Sequence, residues 1–264
     1  MKKNFLYYTF IAAANIVLLI ACEKDKKYIA RFKPIEQNAY LKVVHVSPNF
    51  RAIQAYPDSF DLYVGSYKVN GPLITYNTFF PVATPNTNTY AAIPAGAQQI
   101  RFSLRGVNTI DSLTIISLQK VLIPGNYYTL FITDSLQTLQ EPTKIWTVDN
   151  IVKPDTGTYS VRFAHMILND TAGKKVDVFS YRKATNIFSA ISPGTVTDFI
   201  NLPYYYSPTL DTLSVRRTGT GQELFRLNGV SFTNNQRVYT ILYRGAPNLT
   251  TGTKARGLVV YNNR

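Results

Sequence analysis

The chain has 264 residues and a formal charge of +13, from 28 Lys and Arg against 15 Asp and Glu. A single cysteine and two histidines exclude an intrachain disulfide and leave too few ligands for a zinc site. Nineteen Tyr and fifteen Phe stand against two Met, and with abundant Thr and Val they favour strands over helices.

The leader comes first. Lys2 and Lys3 precede an apolar run from Phe5 to Ile20, 16 residues against the roughly 20 that a spanning helix needs. A charged start, a short apolar run and a small residue, Ala21, describe a secretory signal peptide over residues 1–21. With Cys22 directly after Ala21, the segment resembles a bacterial lipoprotein signal. That resemblance implies cleavage before Cys22, acylation of its thiol and amine, and a membrane partnership through lipid, stable once two or more chains are attached. The charged stretch Glu23-Lys24-Asp25-Lys26-Lys27 opens a tether over residues 22–37, expected to be disordered. Such residues behind the cysteine resemble the export signal of Bacteroidetes-type lipoproteins. The implied address is the outer membrane, with the cell surface favoured over the periplasmic face.

Downstream, short alternating runs recur and no stretch holds apolar residues at helical spacing over three turns. Strands are expected near 40–46, 60–65, 72–78, 88–93, 98–105, 112–121 and 126–133, closing with Lys144–Asp149 around the lone Trp146. Breaks fall at Ala83–Asn88, Pro94-Ala95-Gly96 and Ile123-Pro124-Gly125. The stretch 151–157 reads as a linker too short for wide independent movement. Beyond it the pattern starts again. Tyr40–Val46 with Asn49 is answered by Ser160–Met166 with Asn169; Asp61-Leu62-Tyr63-Val64 by Asp177-Val178-Phe179-Ser180. Tyr90–Pro94 is answered by Phe199–Pro203, and Asn126–Phe131 by Arg237–Leu242, with a last strand at Ala255–Tyr261. Two tandem copies, over 38–150 and 158–264, of an antiparallel immunoglobulin-like β-sandwich are the expected architecture, all-β throughout.

Leu41–Pro48, Asp61–Val64 and the Ile93-Pro94-Ala95-Gly96 turn resemble the bacterial exported domain of unknown function numbered 4397. Its members typically read Leu-Arg-Val-Val-His-Ala-Ser-Pro-Asp, then Val-Asp-Val-Tyr-Val, then Val-Pro-Ala-Gly. Here Lys42 stands for the arginine and Asn49 for the final aspartate. The second copy keeps His165 and Asp177 but has Ile167-Leu168 for Ser-Pro and Tyr204-Tyr205 for Ala-Gly. The resemblance implies an envelope β-sandwich, often in tandem, and carries no catalytic residue.

Strand alternation puts His45 in phase with Leu41 and Val43, and His165 in phase with Val161 and Phe163, on the faces turned inward. A buried imidazole needs partners for its ring nitrogens. Contacts His45–Asp61 and His165–Asp177, or backbone bonds in their place, are expected to tie the first strand of each copy to the second. A general base or metal ligand would need a nucleophile or further ligands converging there. No Gly-x-Ser-x-Gly, phosphate-binding Gly-rich loop or His-Glu-x-x-His is present. No cofactor is implied.

Tyr204-Tyr205-Tyr206 occupies an expected turn, where alternation cannot bury all three rings. Either the tyrosines close the end of the sandwich, or a flat ring is offered to a sugar, with Arg216, Arg217 and Arg226 near enough to add contacts to acidic groups. The second copy carries thirteen Lys and Arg against five Asp and Glu. On an exported lipoprotein that excess suits acidic glycans, lipid head groups or simple solubility better than nucleic acid. The expected function is a non-catalytic envelope lipoprotein, a surface module binding a glycan or protein. The alternatives are a structural spacer or subunit of an envelope complex and, last, an unrecognised hydrolase.

Overall fold

The computed structural model describes residues 37–51, 57–81, 90–105, 114–133, 144–168, 170, 174–205, 210–232 and 235–263. The leader, Cys22 and Tyr206 lie outside them. Residues 35–264 form one compact unit. Its strands in the first copy are β1 (Asn38–His45), β2 (Asp61–Val64), β3 (Tyr67–Lys68), β4 (Phe79–Phe80), β5 (Ala91–Pro94), β6 (Gly96–Ser103), β7 (Thr114–Leu122), β8 (Tyr127–Ile132) and β9 (Lys144–Asp149). The second copy has β10 (Thr158–His165), β11 (Val176–Ser180), β12 (Thr185–Ile191), β13 (Ile200–Pro203), β14 (Asp211–Arg217), β15 (Glu223–Val230), β16 (Val238–Arg244) and β17 (Gly257–Asn262).

Among the described residues four sheets form, two to each copy. One sheet of the first copy runs β4-β1-β8-β9, with β5 also paired to β1, and the other runs β3-β2-β6-β7. The second copy matches them with β13-β10-β16-β17 and β12-β11-β14-β15. The registers repeat as well. Leu41 faces Tyr128 as Val161 faces Tyr239, and His45 faces Ile132 as His165 faces Tyr243. The expected antiparallel pattern has one exception in each copy: β1 runs parallel to β8, and β10 to β16. The chain crosses to the other sheet between those partners, and so returns in the same direction. A second departure is at 72–78, where no strand forms. Ile74 makes only an isolated bridge to Phe60, because Gly71-Pro72 interrupts the run and Asn77 turns with φ 64°.

Alternation fills each core. Leu41, Val43, Leu62, Val64, Ile100 and Phe102 meet between the first two sheets, and Val161, Phe163, Val176, Val178, Leu213 and Val215 between the second two. The outward residues of β1 are not solvated, however. Val44, Val46 and Phe131 pack against Ala164, Met166, Leu242 and Tyr261 in a third apolar cluster. Each copy presents the same face, since Val44 corresponds to Ala164, Val46 to Met166 and Phe131 to Leu242. The sandwiches therefore meet as an isologous pair within one chain. This explains why β1 and β10 carry buried apolar residues on both faces, as strands covered on both sides do.

Polar groups are enclosed in that seam. Lys42 and Arg162, at corresponding positions, are each only 2% exposed. Arg162 Nη1 donates to Asp149 Oδ1 at 2.5 Å, and its Nε donates to Thr240 Oγ1 at 3.0 Å. Asp149 also accepts from the hydroxyls of Thr129 (2.5 Å), Tyr90 (2.7 Å) and Thr147 (2.8 Å). Lys42 Nζ donates to the Asn262 carbonyl at 3.3 Å and lies between the rings of Tyr90 and Tyr261. Burial pulls the Lys42 amine down to about 7, against the opposing pull of Asp149.

Candidate functional site

Both histidines are fully buried, and each turns to a backbone carbonyl instead of to an aspartate. His45 Nδ1 accepts from the Ser47 amide, which leaves Nε2–H to donate to the Asp58 carbonyl at 3.1 Å. His165 uses the other nitrogen, Nδ1, toward the Ile191 carbonyl at 3.3 Å. The expected His45–Asp61 and His165–Asp177 contacts give way because Leu62, Val64, Val176 and Val178 take the inner faces of β2 and β11. The two aspartates consequently stand on the outer faces. Asp61 receives Arg105 through two nitrogens at 3.0 and 2.7 Å, with Lys68 at 2.9 Å. Asp177 accepts from the Ala190 amide at 2.7 Å and the Thr218 hydroxyl at 2.6 Å. Burial pulls both imidazoles down to about 4, so each is neutral near pH 7 and held among aromatic rings. Among the described residues, no group of three or more His, Cys, Asp or Glu is placed to hold a metal ion.

The arginines separate. Arg217 is buried, with Nη2 on Asp170 at 3.1 Å; Arg256 reaches the same carboxylate at 2.9 and 3.0 Å. Burial opposes ionisation of Asp170, but the two guanidiniums hold its carboxyl below the usual range. Arg217 is thus a clamp on the loop before β11, not part of a binding surface. Arg216 lies on the outer face of β14, stacked 3.7 Å from the Phe179 ring and 5.3 Å from that of Tyr181. Arg226 also lies 4.8 Å from the Tyr181 ring, hydrogen-bonded to its hydroxyl and paired with Glu223 at 2.9 Å.

The tyrosine run divides too. Tyr204 donates its amide to the Gly157 carbonyl and packs on the second core. Tyr205 turns outward and is 56% exposed. Its ring faces the guanidinium of Arg182 at 5.5 Å and the amine of Lys183 at 5.1 Å, both from the turn between β11 and β12. That turn is fixed by Asp211, which accepts from the Arg182 amide at 3.0 Å and the Ser180 hydroxyl at 2.6 Å. Beneath it Tyr159 and Phe232 stack at 4.8 Å. The hollow beside Tyr205 is about 30 Å³, room for a water and little more. Anything bound here lies across the surface. The aromatic and basic residues run from Phe179 and Tyr181 through Arg182 and Lys183 to Tyr205. Phe179 and Tyr181 were visible in the sequence as the outward positions of a strand whose inward positions are Val176, Val178 and Ser180. Arg182 and Lys183 carry no such signal.

No protein family model matches the chain, and no curated protein does. Among solved structures, it is similar to a candidate polysaccharide-binding protein (domain of unknown function 1812) from Bacteroides thetaiotaomicron, at 12% identity and a TM-score of 0.24, over 84% of this chain and 95% of that one. It is similar to the fimbrial anchor protein Mfa2 from Porphyromonas gingivalis, at 14% identity and a TM-score of 0.24, over 86% and 97%. A streptococcal virulence factor that binds α-glucan matches at 13% identity and a TM-score of 0.25, over 77% and 92%. Likeness at this level speaks to neither ligand nor partner.

Proposed function

We propose that this is a non-catalytic lipoprotein of the outer membrane, held by lipid on Cys22 and displayed at the cell surface, where its second sandwich binds a glycan. The observation that carries the reading is Tyr205, a half-exposed ring set against Arg182 and Lys183. A sugar ring stacks on such a face while the flanking donors reach its hydroxyls or acidic groups. The hollow is too small to engulf a ligand, which suits a polymer lying along the surface. Absence of catalysis is supported by the two imidazoles, which are buried and neutral, each with one ring nitrogen on a backbone carbonyl. The lone-cysteine leader supports the address. The test is pull-down of the purified mature chain on insoluble polysaccharides and capsule extracts, with a Tyr205→Ala variant. Loss of retention with unchanged melting supports a binding surface; equal retention by both proteins removes Tyr205 from the site. The spacer reading has its own support in the enclosed Lys42–Arg162–Asp149 seam, which makes the two sandwiches one stiff body.

A further inference from the structure

The two halves of the seam are built from corresponding positions, and at one place they differ. In the first half, Lys42 is held between two rings, Tyr90 at 4.4 Å and Tyr261 at 4.8 Å, and Tyr261 packs edge-on against Phe79 at 5.1 Å. The registers assign the counterparts in the second half. Arg162 corresponds to Lys42, Phe199 to Tyr90, Thr147 to Tyr261 and Val196 to Phe79. Arg162 keeps the first ring, Phe199, at 4.6 Å. The second ring is missing, because Thr147 and Val196 are too small to take its place. A cleft of about 280 Å³ opens there, lined by Arg162, Phe199, Thr147, Val148, Val196 and Asp198. Arg162 is 2% exposed, and its Nη2 is buried without a hydrogen-bond partner.

We propose that this cleft between the sandwiches is a binding site for a neutral hydroxylated ring, a single sugar residue, which takes the place that Tyr261 fills in the other half. The inference rests on the glycan reading above and adds a second site to it. Two features select the ligand. Asp149 already neutralises Arg162 at 2.5 Å, and Asp198 adds a negative charge to the lining, so an anion finds little net attraction. Phe199, Val148 and Val196 offer apolar surface for the C–H face of a sugar, while Asp198 accepts from its hydroxyls.

The experiment is methyl NMR of the mature chain labelled at Val, titrated separately with glucose, galactose, mannose and N-acetylglucosamine, and with N-acetyltyrosinamide as the aromatic comparison. Shifts at the Val148 and Val196 methyls with one of the sugars are expected. Val196→Phe, which places the counterpart of Phe79 in the cleft, should abolish the Val148 shifts without lowering the melting temperature. Asp198→Ala, on the exposed rim, should weaken them about tenfold, the loss of one hydrogen bond to a charged acceptor. Sugar-dependent shifts confined to the surroundings of Tyr205 would overturn the cleft and leave the surface site standing. No sugar-dependent shift anywhere would overturn the cleft and count against the glycan reading as well. A response to N-acetyltyrosinamide alone would overturn the sugar assignment in favour of an aromatic side chain from a partner.

Discussion

Replacing Asp149 with asparagine removes the carboxylate that meets Arg162 in the seam while keeping the side chain's shape. The carboxylate is fully enclosed and the Arg162 side chain is 3% exposed, so solvent cannot take over the pairing. Breaking a buried pair from one side costs about 3–5 kcal/mol, because the remaining charge is uncompensated. The hydroxyls of Tyr90, Thr129 and Thr147 all donate to Asp149, and an asparagine oxygen cannot serve all three. Partial relief comes from Lys42, whose amine is already lowered to about 7 by burial and loses the carboxylate that favours its charge. A net loss of about 4 kcal/mol is expected, a large part of the stability of a typical domain. Urea unfolding followed by far-UV circular dichroism and Trp146 fluorescence measures it, since Trp146 sits on the same strand as Asp149. Adding Arg162→Met should recover most of the loss, because a buried pair replaced by apolar groups is often neutral. A cost below about 1 kcal/mol for Asp149→Asn would mean that the pair does not hold the seam, and the stiff-body description would fall.

Acid should weaken the fold between pH 6.5 and 4. The unfolded chain protonates both imidazoles near 6.5, whereas burial keeps the native ones neutral down to about 4. The unfolded state therefore binds more protons across that window, and stability falls as pH falls, by about 3 kcal/mol for each histidine. Urea midpoints at pH 7, 5.5 and 4.5 follow it, and His165→Gln should flatten the slope; a flat wild-type profile would contradict the buried neutral state. Gly245 has φ +116°, and a Cβ there would stand 2.2 Å from the Ala255 carbonyl oxygen. Gly245→Ala should cost more than about 2 kcal/mol through backbone displacement and strain. Gly252→Ala, with open space at φ +87°, should cost about 1 kcal/mol. Thermal melts of the two variants give the comparison.

The sequence carried the strand pattern because alternation of Leu41, Val43 and His45 against Lys42, Val44 and Val46 marks two distinct faces. What it did not mark is where the second face goes. A charged residue at positions 42 and 162 does not mark its face as buried, and only the fold shows that the two faces meet each other. The same blindness placed Arg217 on a binding surface: an arginine in a strand looks alike whether it meets water or Asp170, a residue outside any strand. Of the two kinds of partner expected for the histidines, the backbone bonds are the ones that form, and the strand pattern already excluded the aspartates. Asp61 alternates with Leu62 and Val64, and so cannot share the inward face with His45. Of the two described tyrosines in the run, Tyr205 is the exposed ring, because Tyr204 follows Pro203 into the sheet edge and packs inward. Arg182 and Lys183 reach it from a turn 23 and 22 residues upstream, a distance that no local pattern spans.

Surface display is what the binding reading depends on most, and protease shaving of intact cells tests it most directly. The chain is blotted after proteinase treatment, with a periplasmic protein as the leakage control. Loss of the chain while the control survives is the expected result. A chain that stays protected until the cells are lysed would place it in the periplasm, away from external glycans, and would contradict the proposed function.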